Sequence, residues 1–240
     1  MKTLSIIIPA YNEETHIVNT LNDLLRGEKE NPFSLIEVVV IDDGSSDDTR
    51  KIVDEYSLRD DRVRCEGYEK NHGKGHAVSF GMKKTSGDYK IFLDADGSTH
   101  IDSVNKILNH ANDQDLDIII GSRSKSSGGI IDVPQSKKRA KLGGLGSNLI
   151  KVFLKMPIRD TQCGCKIFKK DIADDLFSNM RSKGWMFDCD LLYRAHKKGI
   201  NIKEVGVNWS NKKVSKVKAI SYPKSFIDLI KIRFYYNTLD

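Results

Sequence analysis

Asp94 and Asp96 follow directly on the apolar run Ile91-Phe92-Leu93. Two carboxylates this close suit a hard divalent cation such as Mg²⁺, which also takes phosphate oxygens. A pair of surface or helix-capping aspartates is the plainer alternative. Within the run Asn71-His72-Gly73-Lys74-Gly75-His76-Ala77, Asn71–Gly75 resembles a phosphate-cradling loop but lacks the spacing of a P-loop. Two further polar clusters, Pro9-Ala10-Tyr11-Asn12-Glu13-Glu14 and Asp42-Asp43-Gly44-Ser45-Ser46-Asp47, also end apolar runs. Each cluster alone is ordinary turn chemistry. Four of them in one chain, two with paired carboxylates, point to a shared site.

The elements that must hold these clusters are legible as an alternation. Leu4–Ile8, Glu37–Ile41, Val63–Cys65, Tyr89–Leu93 and 117–120 read as strands. Between them, 14–26 sets Ile17, Val18, Leu21, Leu24 and Leu25 on one helical face, and 49–56, 75–84 and 102–111 are further helices. Asp102 is placed to cap the last of these. Strands alternating with helices predict an α/β fold with a mostly parallel sheet. Runs such as Val38-Val39-Val40-Ile41 fit strands buried on both faces. In such sheets ligands bind beyond the carboxyl ends of the strands, where the four clusters fall. No G-x-G-x-x-G follows the first strand, which argues against a dinucleotide site. A sugar-nucleotide pocket fits better, with Asp42 near the base or ribose and a metal on the diphosphate.

The second half is less regular. Residues 124–134 read as a loop, 135–155 mix lysines with apolar residues, and 225–236 read as an amphipathic helix. Charge divides the same way. Residues 1–120 carry 14 Lys and Arg against 23 Asp and Glu, and residues 121–240 carry 25 against 10. A basic half suggests an anionic partner. Nucleic acid is excluded as that partner, because no binding motif or stacking aromatic platform accompanies the lysines. The four cysteines form no Cys-x-x-Cys pair and read as buried or incidental thiols. No signal peptide and no stretch of about 18 apolar residues is present, so a protein on the cytosolic side is expected. His72 and His76 read as turn or nucleotide-contact residues, not metal ligands.

The motifs I-I-I-P-A-Y-N-E-E (6–14), V-V-V-I-D-D-G-S-S-D-D-T (38–49), N-H-G-K-G-H-A-V (71–78) and F-L-D-A-D-G-S-T (92–99) resemble those of the family 2 glycosyltransferases. In the second half, I-I-G-S-R (119–123), R-D-T-Q-C-G-C-K-I-F (159–168), G-W-M-F-D-C-D-L-L-Y (184–193) and E-V-G-V-N-W (204–209) resemble the dolichyl-phosphate β-glucosyltransferase branch, kin of dolichol-phosphate mannose synthases. The resemblance runs from about residue 4 to residue 236. Cys165 departs from it by standing where Phe is usual, and Cys189-Asp190 by replacing a Val-Glu-like pair.

The resemblance implies a Rossmann-like nucleotide-sugar fold of GT-A type in a single domain, 1–240. Residues 1–121 would form the nucleotide-sugar half and 122–240 the acceptor-binding, membrane-proximal half. It implies inverting transfer of a sugar, glucose from UDP-glucose, onto a polyprenyl phosphate. The alternatives are another donor such as GDP-mannose, or a glycan hydroxyl acceptor. Pro9, Tyr11, Glu13, Asp42, Lys74, Asp94, Ala95 and Asp96 would hold the nucleotide sugar, with Mg²⁺ or Mn²⁺ on Asp94 and Asp96. Asp188 is the expected base, with helix capping as its alternative. Arg123, Arg139 and Gln162 would meet the acceptor phosphate, or be solvated surface groups. The chain would act peripherally on the cytoplasmic face of a membrane; the aromatic and basic residues of 224–235 suit its interface, with an amphipathic helix packed on the core as the alternative.

Overall fold

The computed structural model describes residues 1–134, 137–182, 184–212 and 221–237, without the side chains of residues 29, 137–142, 145, 221–224 and 237. Its strands are β1 (Thr3–Ala10), β2 (Ser34–Asp43), β3 (Val63–Tyr68), β4 (Tyr89–Leu93), β5 (Ile118–Ser122), β6 (Ile130–Val133), β7 (Cys165–Lys169), β8 (Ile202–Gly206) and β9 (Asn208–Ser210). Its helices are α1 (Ile17–Arg26), α2 (Thr49–Ser57), α3 (Lys74–Lys84), α4 (Ile101–Gln114), α5 (Lys137–Leu154), α6 (Lys170–Ser178), α7 (Phe187–Lys197) and α8 (Ser221–Asn237).

Seven strands form one sheet in the order β3-β2-β1-β4-β7-β5-β8. All its pairings are parallel except those of β7, which runs antiparallel between β4 and β5. The expected α/β, mostly parallel architecture is present. The register levels the strand ends, pairing Ala10 with Asp42 and Asp42 with Gly67. The polar clusters therefore emerge along one rim.

Residues of alternating parity feed two apolar layers, as the two-residue period of a strand requires. Ile6, Ile8, Val38, Val40, Ile91 and Ile167 pack with Leu21 of α1, Val53 of α2 and Ile107 of α4. Ile7, Val39, Ile41, Phe92, Ile120 and Phe168 pack with Val78 of α3, Leu176 of α6, Leu192 of α7 and Ile232 of α8.

Three local expectations are corrected. Residues 14–16 are outside α1, because Glu13 and Glu14 are tied to the β2–α2 turn. Asp102 lies within the first turn of α4, whose N-cap is His100, and makes no side-chain cap. The supposed loop 124–134 contains a 3₁₀ turn at Lys125–Ser127 and the strand β6, which pairs with β9 in a separate two-stranded sheet. Isolated residues Ile130, Ile131 and Val133 gave no alternation to read, because all of β6 is exposed.

Candidate active site

The ends of β1 and β2 are stitched to each other. Asn12 adopts φ 51°, a left-handed conformation that Asn tolerates better than most residues. From there its Oδ1 accepts the Ser46 N–H at 2.8 Å, while the Asn12 N–H donates to Ser45 Oγ at 3.0 Å. Glu13 N–H donates to Thr49 Oγ1 at 2.7 Å, and Asp48 N–H to Glu14 Oε2 at 3.0 Å. Asp43 then fixes the glycine loop. Its Oδ1 accepts the His72 N–H at 2.8 Å and its Oδ2 the Gly73 N–H at 2.9 Å. Gly73 has φ 95°, which a residue with a Cβ rarely adopts, so a glycine is needed to turn the chain into α3.

That turn delivers Lys74 to the end of β4. Its Nζ donates to Asp94 Oδ1 at 2.5 Å. Burial works against the Lys74 ammonium, but Asp94, Asp188 and Asp96 outweigh it and hold its pKa above the ordinary value. Asp94 is pinned from the opposite side by Gly164, where a Cβ would stand 1.8 Å from Asp94 Oδ2. Asp96 Oδ1 accepts the Ser98 N–H at 2.9 Å.

Asp188, in the first turn of α7, is buried, as is its partner Lys166 on β7. Lys166 Nζ donates to Asp188 Oδ1 and to the Cys163 carbonyl, both at 2.6 Å. Burial pushes the Asp188 carboxyl up, and Lys166 and Lys74 only partly offset it. Its carboxylate does not cap α7, whose N-cap is Met186. Asp190 accepts the Arg181 and Ser182 N–H groups and the Tyr236 hydroxyl, shaping the loop that leads to Gly184 and Trp185. Three of the four cysteines are buried, all four are free, and burial pushes the Cys163 thiol up to about 12.

Pro9, Tyr11, Glu13, Lys74, Asp94, Ala95, Asp96, Arg123, Gln162 and Asp188 all line one cavity of about 470 Å³. Asp42 does not. It is buried, with Oδ1 taking the Ser45 N–H, and the neighbouring Asp43 lines the cavity instead. Arg123 is occupied by an ion pair: its Nε and Nη2 reach the two oxygens of Asp160 at 2.7 and 2.8 Å, and the guanidinium lies 5.5 Å from the Trp209 ring centroid. Asp160 is held in turn by Glu204, which accepts its N–H at 2.9 Å. Gln162 is exposed and its Nε2 donates to the Trp185 carbonyl at 3.5 Å. Arg139 belongs to α5, but its side chain lies outside the described residues. His72 and His76 meet the Tyr68 ring edge-on, away from the cavity lining, with ring centroids at 5.0 and 5.1 Å.

The sequence reading missed Asp43, Trp185, Trp209 and Lys212 as cavity residues. Both tryptophans sit in the quoted motifs, which was the available signal. Lys212 had none, yet it is the cavity cation without a carboxylate partner among the described residues.

Could this cavity hold a divalent ion? Among the described residues no cluster of three or more His, Cys, Asp or Glu side chains is arranged around a metal site. Asp94 and Asp96 nevertheless present hard oxygens to the cavity, and neither Oδ2 accepts a hydrogen bond among the described residues. Two carboxylates with phosphate oxygens completing the shell is the usual arrangement for Mg²⁺. The donor set fits.

The family model "Glycosyl transferase family 2" matches residues 5–177. A dolichyl-phosphate beta-glucosyltransferase of Dictyostelium discoideum is 34% identical, over 97% of this chain and 74% of its own length. The Homo sapiens protein of the same name is 34% identical, over 99% of this chain and 76% of its own. Among solved structures, glucosyl-3-phosphoglycerate synthase from Mycobacterium tuberculosis with Mg²⁺ and UDP superposes with a TM-score of 0.71 at 17% identity, covering 98% of this chain and 79% of that one. The same enzyme with Mn²⁺, UDP-glucose and phosphoglyceric acid gives 0.69 at 17% identity, with the same coverage. These likenesses show the GT-A fold.

Proposed function

The chain belongs to glycosyl transferase family 2, and on that premise we propose that it moves glucose from UDP-glucose onto a dolichyl-type polyprenyl phosphate, inverting the anomeric centre in a single displacement. The observation that carries this reading is the convergence of Asp94, Asp96, Lys74 and Asp188 on one cavity, in a chain matching dolichyl-phosphate beta-glucosyltransferases over nearly its whole length. A fold neighbour solved with UDP-glucose supports the donor.

Pro9, Tyr11 and Glu13 form the nucleoside end, and Asp43 holds the loop 71–73 that borders the diphosphate. Asp94 and Asp96 would hold a divalent cation, which when bound supplies a Lewis acid that offsets charge on the departing UDP. Lys74 stands beside them as a second cation. A phosphate monoester has a second pKa of about 6 and reaches the site already ionised. Asp188 therefore has no proton to remove; with Lys166 it sets the position and charge of the cavity floor. Arg123 is held by Asp160 beside Trp209, and Lys212, without a carboxylate partner among the described residues, is the more available grip for an acceptor phosphate.

Residues 1–121 supply the donor side of this single domain, and 122–240 the acceptor side. Among the described residues no helix is long and apolar enough to cross a membrane. Leu229, Ile232 and Tyr236 of α8 are buried, while Phe226, Ile227 and Phe234 are exposed beside the exposed Leu149 and Val152 of α5. Phe153 and Phe226 join the two helices, with ring centroids at 6.2 Å. With Lys151, Lys155, Lys231 and Arg233 nearby in sequence, this face is suited to peripheral docking on the cytoplasmic leaflet, at roughly 1 kcal/mol per basic residue. Failure to float with anionic vesicles at low salt would remove this part of the reading.

The transfer itself is tested with labelled UDP-glucose and dolichyl phosphate in detergent, scoring label in the organic phase. The wild-type chain should transfer, excess EDTA should stop it, and Asp96→Asn should lower it by at least about 100-fold. Full activity of Asp96→Asn, or transfer unaffected by EDTA, overturns the proposal.

A further inference from the structure

We propose that Lys74 is a resident cation that occupies the Asp94 carboxylate until the donor arrives, and that it is exchanged for the divalent ion as its ammonium moves to the diphosphate. The inference rests on the donor site proposed above and adds a role for Lys74 in coupling metal to nucleotide.

Four observations carry it. The Lys74 ammonium lies 2.5 Å from Asp94 Oδ1, on one of the two carboxylates that the cation would need. Asp96 carries no such cation among the described residues, its Oδ1 being taken by the Ser98 N–H. Asp94 cannot swing towards β7 to free itself, because Gly164 already lies against its carboxylate. Lys166, the other ammonium of the cavity floor, is committed to Asp188 and the Cys163 carbonyl. Lys74 is thus the mobile charge, carried on a four-carbon stem at the start of α3 with its side chain 20% exposed.

The charge balance favours a coupled exchange. Asp94, Asp96 and Asp188 are offset by Lys74 and Lys166, leaving one surplus negative charge. Metal alone would have to evict Lys74 into a cavity with no new anion to receive it. A nucleoside diphosphate brings that anion, so metal and donor should bind better together than apart. The coupling is reciprocal, as linkage requires.

Mn²⁺ binding read by electron paramagnetic resonance tests this without reference to turnover. In the absence of nucleotide, Lys74→Gln should bind Mn²⁺ roughly tenfold more tightly than wild type, because the competing ammonium is gone. With UDP present the order should reverse, so the factor by which UDP raises Mn²⁺ affinity should fall by well over tenfold, about 100-fold. Unchanged or weaker nucleotide-free Mn²⁺ binding by Lys74→Gln overturns the proposal, as does no binding to either protein. A measurement on the wild-type chain guards against a misfolded variant. Acetic anhydride labelling of Lys74, read by peptide mass spectrometry, should rise with Mn²⁺ alone and fall again when UDP is added. Labelling indifferent to Mn²⁺ also overturns it. Exchange seen without transfer to dolichyl phosphate would fault the proposed function alone, and transfer without exchange would fault only the role of Lys74.

Discussion

Gly164→Ala is the most economical test of how the site is built. Gly164 is not among the glycines with positive φ, so its backbone accepts alanine. What alanine lacks is space. The new Cβ would stand 1.8 Å from Asp94 Oδ2, 2.2 Å from Cγ and 2.5 Å from Oδ1. Ordinary contact requires the carboxylate to retreat by about 1.5 Å, breaking its pairing with Lys74. The backbones cannot part instead, because Asp94 N–H donates to the Gly164 carbonyl at 3.1 Å and Leu93 is in register with Cys165. The carboxylate faces an open cavity, so the fold absorbs the change at a cost of about 1–2 kcal/mol. That is a drop in Tm of roughly 2–8 °C for a chain of this length. The site is less tolerant, since a displacement of about 1 Å costs on the order of 100-fold in rate. We expect kcat/KM for transfer from UDP-glucose to fall at least about 100-fold with far-ultraviolet circular dichroism unchanged. In an Asp94→Asn background the same substitution should add little, because both act on one group. Activity within fivefold of wild type, in a well-folded variant, would refute the idea that Gly164 sets the Asp94 carboxylate.

Three further outcomes follow from the same contacts. Lys166→Met leaves Asp188 buried without its cation and should cost about 3–5 kcal/mol in urea unfolding, with part recovered in Lys166→Met/Asp188→Leu; a loss under 1 kcal/mol would mean that the pair is not buried as described. Asp188→Asn should slow transfer to dolichyl phosphate by only about tenfold, since that acceptor needs no deprotonation; a loss beyond 1000-fold would instead identify a true base and a hydroxyl acceptor. At Glu37, burial raises the carboxyl pKa, but hydrogen bonds from Ser5 and Ser86 and the Arg64 guanidinium outweigh it and hold the group below its ordinary value. Its stabilisation is therefore complete above the unfolded value, about 4.3, and is lost as pH falls through the lower folded value. Melting curves from pH 3 to 7 should be flatter on the acid side for Glu37→Gln than for wild type, and parallel curves would count against this.

Much of the donor side was legible because its signals are local. Val38–Ile41 is buried on both faces and reads as a central strand, and the clusters after β1, β2, β4 and before α3 fall on one rim. What escaped depends on partners far away in sequence. β7 reads C-K-I-F-K, and its Lys166 looks like a surface residue until Asp188 neutralises it across 22 positions. Arg123 reads as a free phosphate grip because Asp160 lies 37 residues away. The choice between Asp42 and Asp43 is a matter of which way alternate side chains of β2 face, and neighbouring identical residues carry no clue to that.

The placement of β7 has a bearing on how the chain comes to be folded. β4 ends at Leu93, yet the strand that covers its open edge does not start until Cys165. At roughly 5–20 residues per second, a ribosome needs about 4–14 s to make the intervening segment. Throughout that interval β4 offers an unpaired edge, the kind of surface on which chains aggregate. The buried Lys90 in β4, which ends on Asp174 and the Met82 carbonyl, places a charge on that strand. Before β7 and α6 arrive, that lysine is also without Asp174, and an inward-facing charge on an open strand is the kind of feature that disfavours pairing with another chain.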